Sequence, residues 1–200
     1  YLAGSPRIGG GPGIEPRFVT AALAAHADLH VDYELINYRT PRIDYRDQLR
    51  EKRYDAVLLG DLDVMAFDAR SWDALADLVA HGTGLAMLGG FHSFGPGGYR
   101  GSPLENVLPI ELGRAERQNF GEKIRSDVHL PGPLKFVPIE RNGKLHPMLR
   151  LDDERANDSE RWAELPELEG ANLLDPLRLK PNAQVIAWSG DRERRPLLVL

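Results

Sequence analysis

Hydrophobic positions along this chain recur in two periods, and the alternation between them predicts its elements. Residues 31–38, VDYELINY, alternate apolar with polar, the pattern of a half-buried strand. Residues 54–59, YDAVLL, and 85–88, LAML, are short apolar runs, each followed by glycine, and read as buried strands of a parallel sheet. The stretches between them have helical period. Phe18, Val19, Ala22, Leu23 and Ala25 mark the apolar face of one helix, which Glu15 and Pro16 are suited to begin. Residues 44–52 make a short charged helix, and Trp72, Leu75, Ala76, Leu78 and Val79 line a third, with Ser71 as its expected N-cap. With a strand tail at residues 1–3 the order is βαβαβαβ, which predicts right-handed crossovers and a doubly wound, mostly parallel sheet with helices on both faces.

Beyond Gly101 the pattern changes. Residues 110–140 hold short extended pieces, ELGRAER, IRSDVHL and LKFVPIE, broken by proline and glycine, and predict a β-rich excursion with hairpins beside the main sheet. Asn157 or Asp158 is placed to cap a helix running through Trp162 to Leu165. Three strands are expected near the end, at 171–174, 183–188 and 196–200, the last two as an antiparallel hairpin. The 200 residues fit a single domain over 1–200. Residues 1–3 read as a strand already under way and 197–200 as one that stops without a turn, so a segment of a longer protein is expected.

In an open parallel sheet, ligands gather beyond the carboxyl ends of the strands. That places the glycine-rich loop GGFHSFGPGGYRGSP, from Gly89 onward, at the candidate site. His92 is the candidate base, ligand or hydrogen-bond donor, or else a residue that ties down the turn, and Ser93 is the candidate hydroxyl beside it. Backbone N–H groups from Gly89, Gly90, Phe91, Gly97 and Gly98 are expected to line a pocket, with the Tyr99 ring, the Arg100 cation and His146 offered to a small polar ligand. Asp61 and Asp63, just after the preceding strand, have with His92 and His146 the residue types of a divalent-metal site; the alternative is a cap and a solvated carboxylate. The GGGPG stretch near residue 10 has neither the GxGxxG nor the P-loop spacing.

Composition removes several classes. The net charge of −5 and the lack of a basic stripe give no case for nucleic acid. No run approaches the ~20 apolar residues of a membrane span. Cysteine is absent, which removes disulfides, thiolate metal sites and thiol nucleophiles together.

The runs YDAVLLGDLD, HGTGLAMLGGFHSFGPGGYRGSPLENVLPIEL, HPMLRL and WAELPELEGANLL resemble the glutamine amidotransferase-like domains of bacteria, within the class I glutamine amidotransferase-like superfamily. The GFHS piece and the His146-Pro147 pair are similar, more loosely, to its trehalose-utilisation (ThuA-like) branch. The resemblance implies a flavodoxin-like α/β fold with its site near residues 90–93, in domains often carried within larger, membrane-anchored proteins. It implies no amidotransferase reaction, because that reaction uses a cysteine at the elbow, where this chain has Phe91 and His92. What it leaves is a module without a cofactor that binds a small polar ligand or a protein partner. The alternative is a hydrolase or sugar-processing enzyme built on His92 with Asp61 and Asp63 and assisted by a divalent metal.

Overall fold

A computed structural model describes residues 2–4, 14–36, 44–151 and 158–200. The GGGPG stretch, the turn at 40–41 and the Asn157 cap lie outside the described residues. The chain is mixed α/β and forms two compact units, one of residues 1–108 and 112–122, the other of 109–111 and 123–200.

The first unit is built on a parallel sheet. Strands β1 (Leu2–Gly4), β2 (Tyr33–Leu35), β3 (Ala56–Gly60) and β4 (Gly84–Leu88) lie in the order β2-β1-β3-β4, every neighbouring pair parallel. Helices α1 (Ile14–Ala24), α2 (Arg46–Lys52) and α3 (Ala69–Ala80) connect them in turn. Side chains alternate across β3, so Val57 and Leu59 are fully buried while Ala56 is exposed. Helices α2 and α3 pack on one another, with Leu49 of α2 and Trp72 and Leu75 of α3 buried. An aromatic chain continues that core: Tyr45 meets Phe67 at 4.7 Å, Phe67 meets Trp72 at 4.6 Å, and Trp72 meets Tyr99 edge-on at 5.3 Å.

Three expectations are corrected here. Ser71 does not cap α3; Asp68 does, accepting the Ser71 N–H at 2.8 Å. The Ser71 hydroxyl is buried inside the helix, where it accepts the Tyr45 N–H. Strand β4 is not buried, since its residues alternate between exposed and half-buried. On the α1 face Phe18 and Ala22 are exposed, as is Ala25 just beyond the helix, while Val19 and Leu23 are half-buried.

The second unit is antiparallel. Strand β5 (His129–Leu134) pairs with β9 (Leu168–Asn172). Strand β6 (Phe136–Pro138) borders β10 (Val185–Ser189), which forms the expected hairpin with β11 (Pro196–Val199). A two-residue ladder joins β7 (Glu140–Arg141) to β8 (Lys144–Leu145). Helix α4 (Asp158–Glu164) sets Trp162 against Phe136, its indole N–H donating to the Leu149 carbonyl at 2.7 Å. The β-rich excursion therefore does not extend the main sheet: its strands find partners in the C-terminal third, and ELGRAER at 111–117 forms no strand. Residues 109–111 join this unit through backbone bonds, Glu111 N–H to Arg178 and Lys180 N–H to Pro109.

Candidate functional site

Two loops of the first unit meet beyond the carboxyl ends of β3 and β4. After β3 the chain turns at Asp61, a non-glycine residue at φ 36, and runs through Asp63 into a short 3-10 helix, Val64–Ala66. Asp63 caps that helix by accepting the Met65 N–H at 2.8 Å. After β4 the chain enters the glycine-rich loop. Asp61 Oδ1 accepts the His92 N–H at 2.6 Å, fastening the second loop to the first. Gly90 is required at this junction, because a Cβ there would fall 2.3 Å from the Asp61 carboxyl carbon.

A third segment, 116–120, closes over both loops. Arg117 reaches Asp63, with Nη1 at 2.7 Å from Oδ2 and Nη2 donating to Oδ1 at 3.2 Å. Asp63 has no exposed side-chain surface, so this is a buried carboxylate held by a half-exposed guanidinium. His92 stacks on Phe120 with ring centroids 4.0 Å apart, and its Nδ1 lies 3.7 Å from Asp63 Oδ2. Burial pushes the His92 imidazole below its ordinary pKa of 6.5. The carboxylates of Asp61 and Asp63 and a bond to the Gln118 backbone oppose that shift, while Arg117 adds to it. At neutral pH the ring is uncharged.

These contacts place most residues of the expected ligand pocket inside the packed loop. The N–H groups of Gly97, Gly98 and Tyr99 are spent inside the loop, on the carbonyls of Ser93, Gly95 and Phe94. Gly97 lies so close to the His92 carbonyl that a Cβ would come within 1.9 Å of it, and Arg117 Nη1 lies over Gly98. Ser93 is 1% exposed, and its hydroxyl donates to the Leu88 carbonyl at 2.7 Å, closing the end of β4. In that geometry the Ser93 hydroxyl is committed to a backbone carbonyl and shielded from solvent. Tyr99 offers no ring to a ligand: it is fully buried, and its hydroxyl donates to the Leu62 carbonyl at 2.6 Å. His146 lies in the second unit, where Nδ1 accepts the Met148 N–H at 3.3 Å and caps a short 3-10 helix. Of the expected residues, Gly89, Phe91 and Arg100 remain exposed on the loop.

The two carboxylates of the metal expectation are engaged elsewhere. Asp63 is committed to Arg117 and to the Met65 N–H, and Asp61 to the His92 N–H. A cation would have to displace a guanidinium from a buried carboxylate, and among the described residues no group of three or more His, Asp or Glu is placed to hold one. Sequence reasoning missed Arg117, Gln118 and Phe120, which complete the cluster. The available signal was the spacing of Gly95, Gly97 and Gly98, since glycines packed this closely imply that something approaches the backbone. Among the described residues no helix is long and apolar enough to cross a membrane. No protein-family model matches the chain, and the curated proteins searched give no match.

Proposed function

We propose that this chain is a flavodoxin-like domain of the class I glutamine amidotransferase-like kind that has lost the amidotransferase reaction and serves a larger bacterial protein as a ligand- or partner-binding module. The strand order β2-β1-β3-β4 supports the fold part of this reading, being the first four positions of the 2-1-3-4-5 order of flavodoxin-like sheets. The observation that carries the functional part is Ser93. It is the hydroxyl nearest the elbow position of a chain without cysteine, and it is buried and bonded to Leu88. His92, Asp63, Arg117 and Phe120 then act as a clasp that sets the shape of the loop. Leu88 and Phe91, each more than a third exposed, and the exposed Arg100 supply the surface for a partner.

A second reading, a hydrolase or sugar-processing enzyme, draws on one contact, the 3.7 Å approach of His92 Nδ1 to Asp63 Oδ2. A neutral imidazole oriented by a buried carboxylate has the form of a general base. Assays of glutamine, ester and glycoside hydrolysis separate the two. The module reading expects no turnover above buffer, and no difference between the unaltered chain and His92→Ala. A hydrolytic rate that disappears in both His92→Ala and Asp63→Asn would establish the enzyme instead.

A further inference from the structure

Strands β7 and β8 are joined by two residues, Asn142 and Gly143, at φ 53 and φ 70. Both values are left-handed, the pattern of a type I′ hairpin turn, for which Asn-Gly is a favoured pair. Both residues are exposed, and a Cβ added at Gly143 would meet nothing within 4 Å. Among the described residues the Gly143 N–H has no acceptor and the Asn142 carboxamide no partner. The ladder behind the turn is two pairs long, Glu140 with Leu145 and Arg141 with Lys144, and so short a ribbon opens readily. An electrophilic carbon, Asn142 Cγ, thus stands beside a backbone nitrogen that nothing holds.

We infer that Asn142 is a site of spontaneous deamidation, with water as the co-reactant. When the ladder opens and Asn142 leaves its left-handed conformation, the Gly143 nitrogen gives its proton to solvent base and attacks Asn142 Cγ. An N–Cγ bond forms, the Cγ–Nδ2 bond breaks, and ammonia leaves behind a five-membered succinimide. Water then opens the ring, to aspartate by attack at the Cγ carbonyl and to isoaspartate by attack at the main-chain carbonyl. One water is consumed and one ammonia released, with no change of oxidation state. The flanking cations of Arg141 and Lys144 favour loss of the Gly143 proton and the oxyanion that forms at Cγ. Isoaspartate carries an extra main-chain methylene, so the turn no longer closes the Arg141–Lys144 pair; aspartate keeps the turn and sets a carboxylate between the two cations.

The other described asparagines lack one of these conditions. Asn182 is the sharpest comparison, being exposed and left-handed at φ 72. The N–H that would attack there belongs to Ala183, and it donates to the Lys180 carbonyl at 3.0 Å. The Val107 N–H after Asn106 donates to Leu104 at 3.0 Å, and the Leu173 N–H after Asn172, itself buried, donates to Val128 at 2.9 Å. Asn119 is held by its own amide, which donates to Glu122 at 3.0 Å, and the bulky Phe120 follows it. This inference is independent of the amidotransferase-like reading and survives its failure.

The test incubates the folded full chain at mildly alkaline pH and maps its peptides by mass spectrometry, with isoaspartate counted by enzymatic methylation. Asn142 is expected to convert, Asn182 to stay intact, and Gly143→Ala to slow the conversion at Asn142. Hydrogen exchange of the converted chain should show lost protection at Arg141 and Lys144. Ala183→Gly separates structure from sequence, because it sets a glycine after Asn182 while its N–H stays bonded to Lys180. In that variant Asn182 should resist conversion in the folded chain and undergo it in urea. The inference is overturned if Asn142 stays intact in the folded chain over a time in which the urea-unfolded chain converts there. It is equally overturned if Asn182 of folded Ala183→Gly converts as fast as Asn142. Circular dichroism checks folding; if Ala183→Gly fails to fold, the comparison of Asn142 in folded and unfolded chain decides alone.

Discussion

Asp63 answers three groups at once: the Met65 N–H, the Arg117 guanidinium and, at longer range, the His92 ring. Removing it takes the cap from the Met65 N–H and the partner from a guanidinium that can turn to solvent, so Asp63→Ala is expected to cost about 1–2 kcal/mol in urea unfolding. His92 makes a different prediction. Its pKa is held below 6.5 chiefly by burial, so below that pH the unfolded chain takes up a proton that the folded chain resists. The contribution of His92 to stability is therefore level above pH ~6.5 and declines as the pH falls below it. Unfolding free energies measured from pH 8 to pH 5 should show this decline in the unaltered protein and a shallower one in His92→Asn. That Asp61, Asp63 and His92 meet at one edge was legible in sequence, but the Arg117 partner was not. Asp63 and Arg117 stand 54 positions apart, and nothing in the run RAERQNF distinguishes Arg117 from Arg114 until the fold selects one.

At the scale of elements, the glycine-rich loop is a packed structure and not an open cradle. Its turn is closed by its own backbone bonds, and segment 116–120 lies against its glycines. Gly97→Ala is a sharp test, because the added Cβ meets the His92 carbonyl, a backbone atom that cannot swing away. A loss of about 2 kcal/mol is expected, read as a lowered melting temperature. Gly101→Ala, where the added Cβ meets nothing, costs only the strain of φ +74. The loop's position was legible, since helix, glycine and apolar run announce a strand followed by a site-forming turn. Its interior was not, because a glycine that frees the backbone for a ligand and one that admits a neighbouring side chain look the same in sequence. Strand β4 shows the converse: LAML reads as a buried strand, and its exposure depends on what the fold lays over the faces of the sheet.

At the scale of the molecule, the chain passes between its two compact units at 108–109, 111–112 and 122–123, so neither is a single contiguous piece. That interleaving predicts one cooperative transition. Trp72 reports on the first unit and Trp162 and Trp188 on the second. Fluorescence of variants retaining only Trp72 or only Trp188 should therefore unfold in urea with coincident midpoints, whereas separated midpoints would mean two independent domains. The sequence by itself determined what depends on neighbours along the chain: the alternation of strand and helix through residue 90, the C-terminal hairpin, and the exclusion of thiol chemistry by the absence of cysteine. Only the tertiary structure decided which of the loop's polar groups were already spent. Ser93, Tyr99 and Asp63 have the side chains of a site, yet each is bonded to a distant carbonyl or cation, because folding must satisfy a buried polar group before any ligand can.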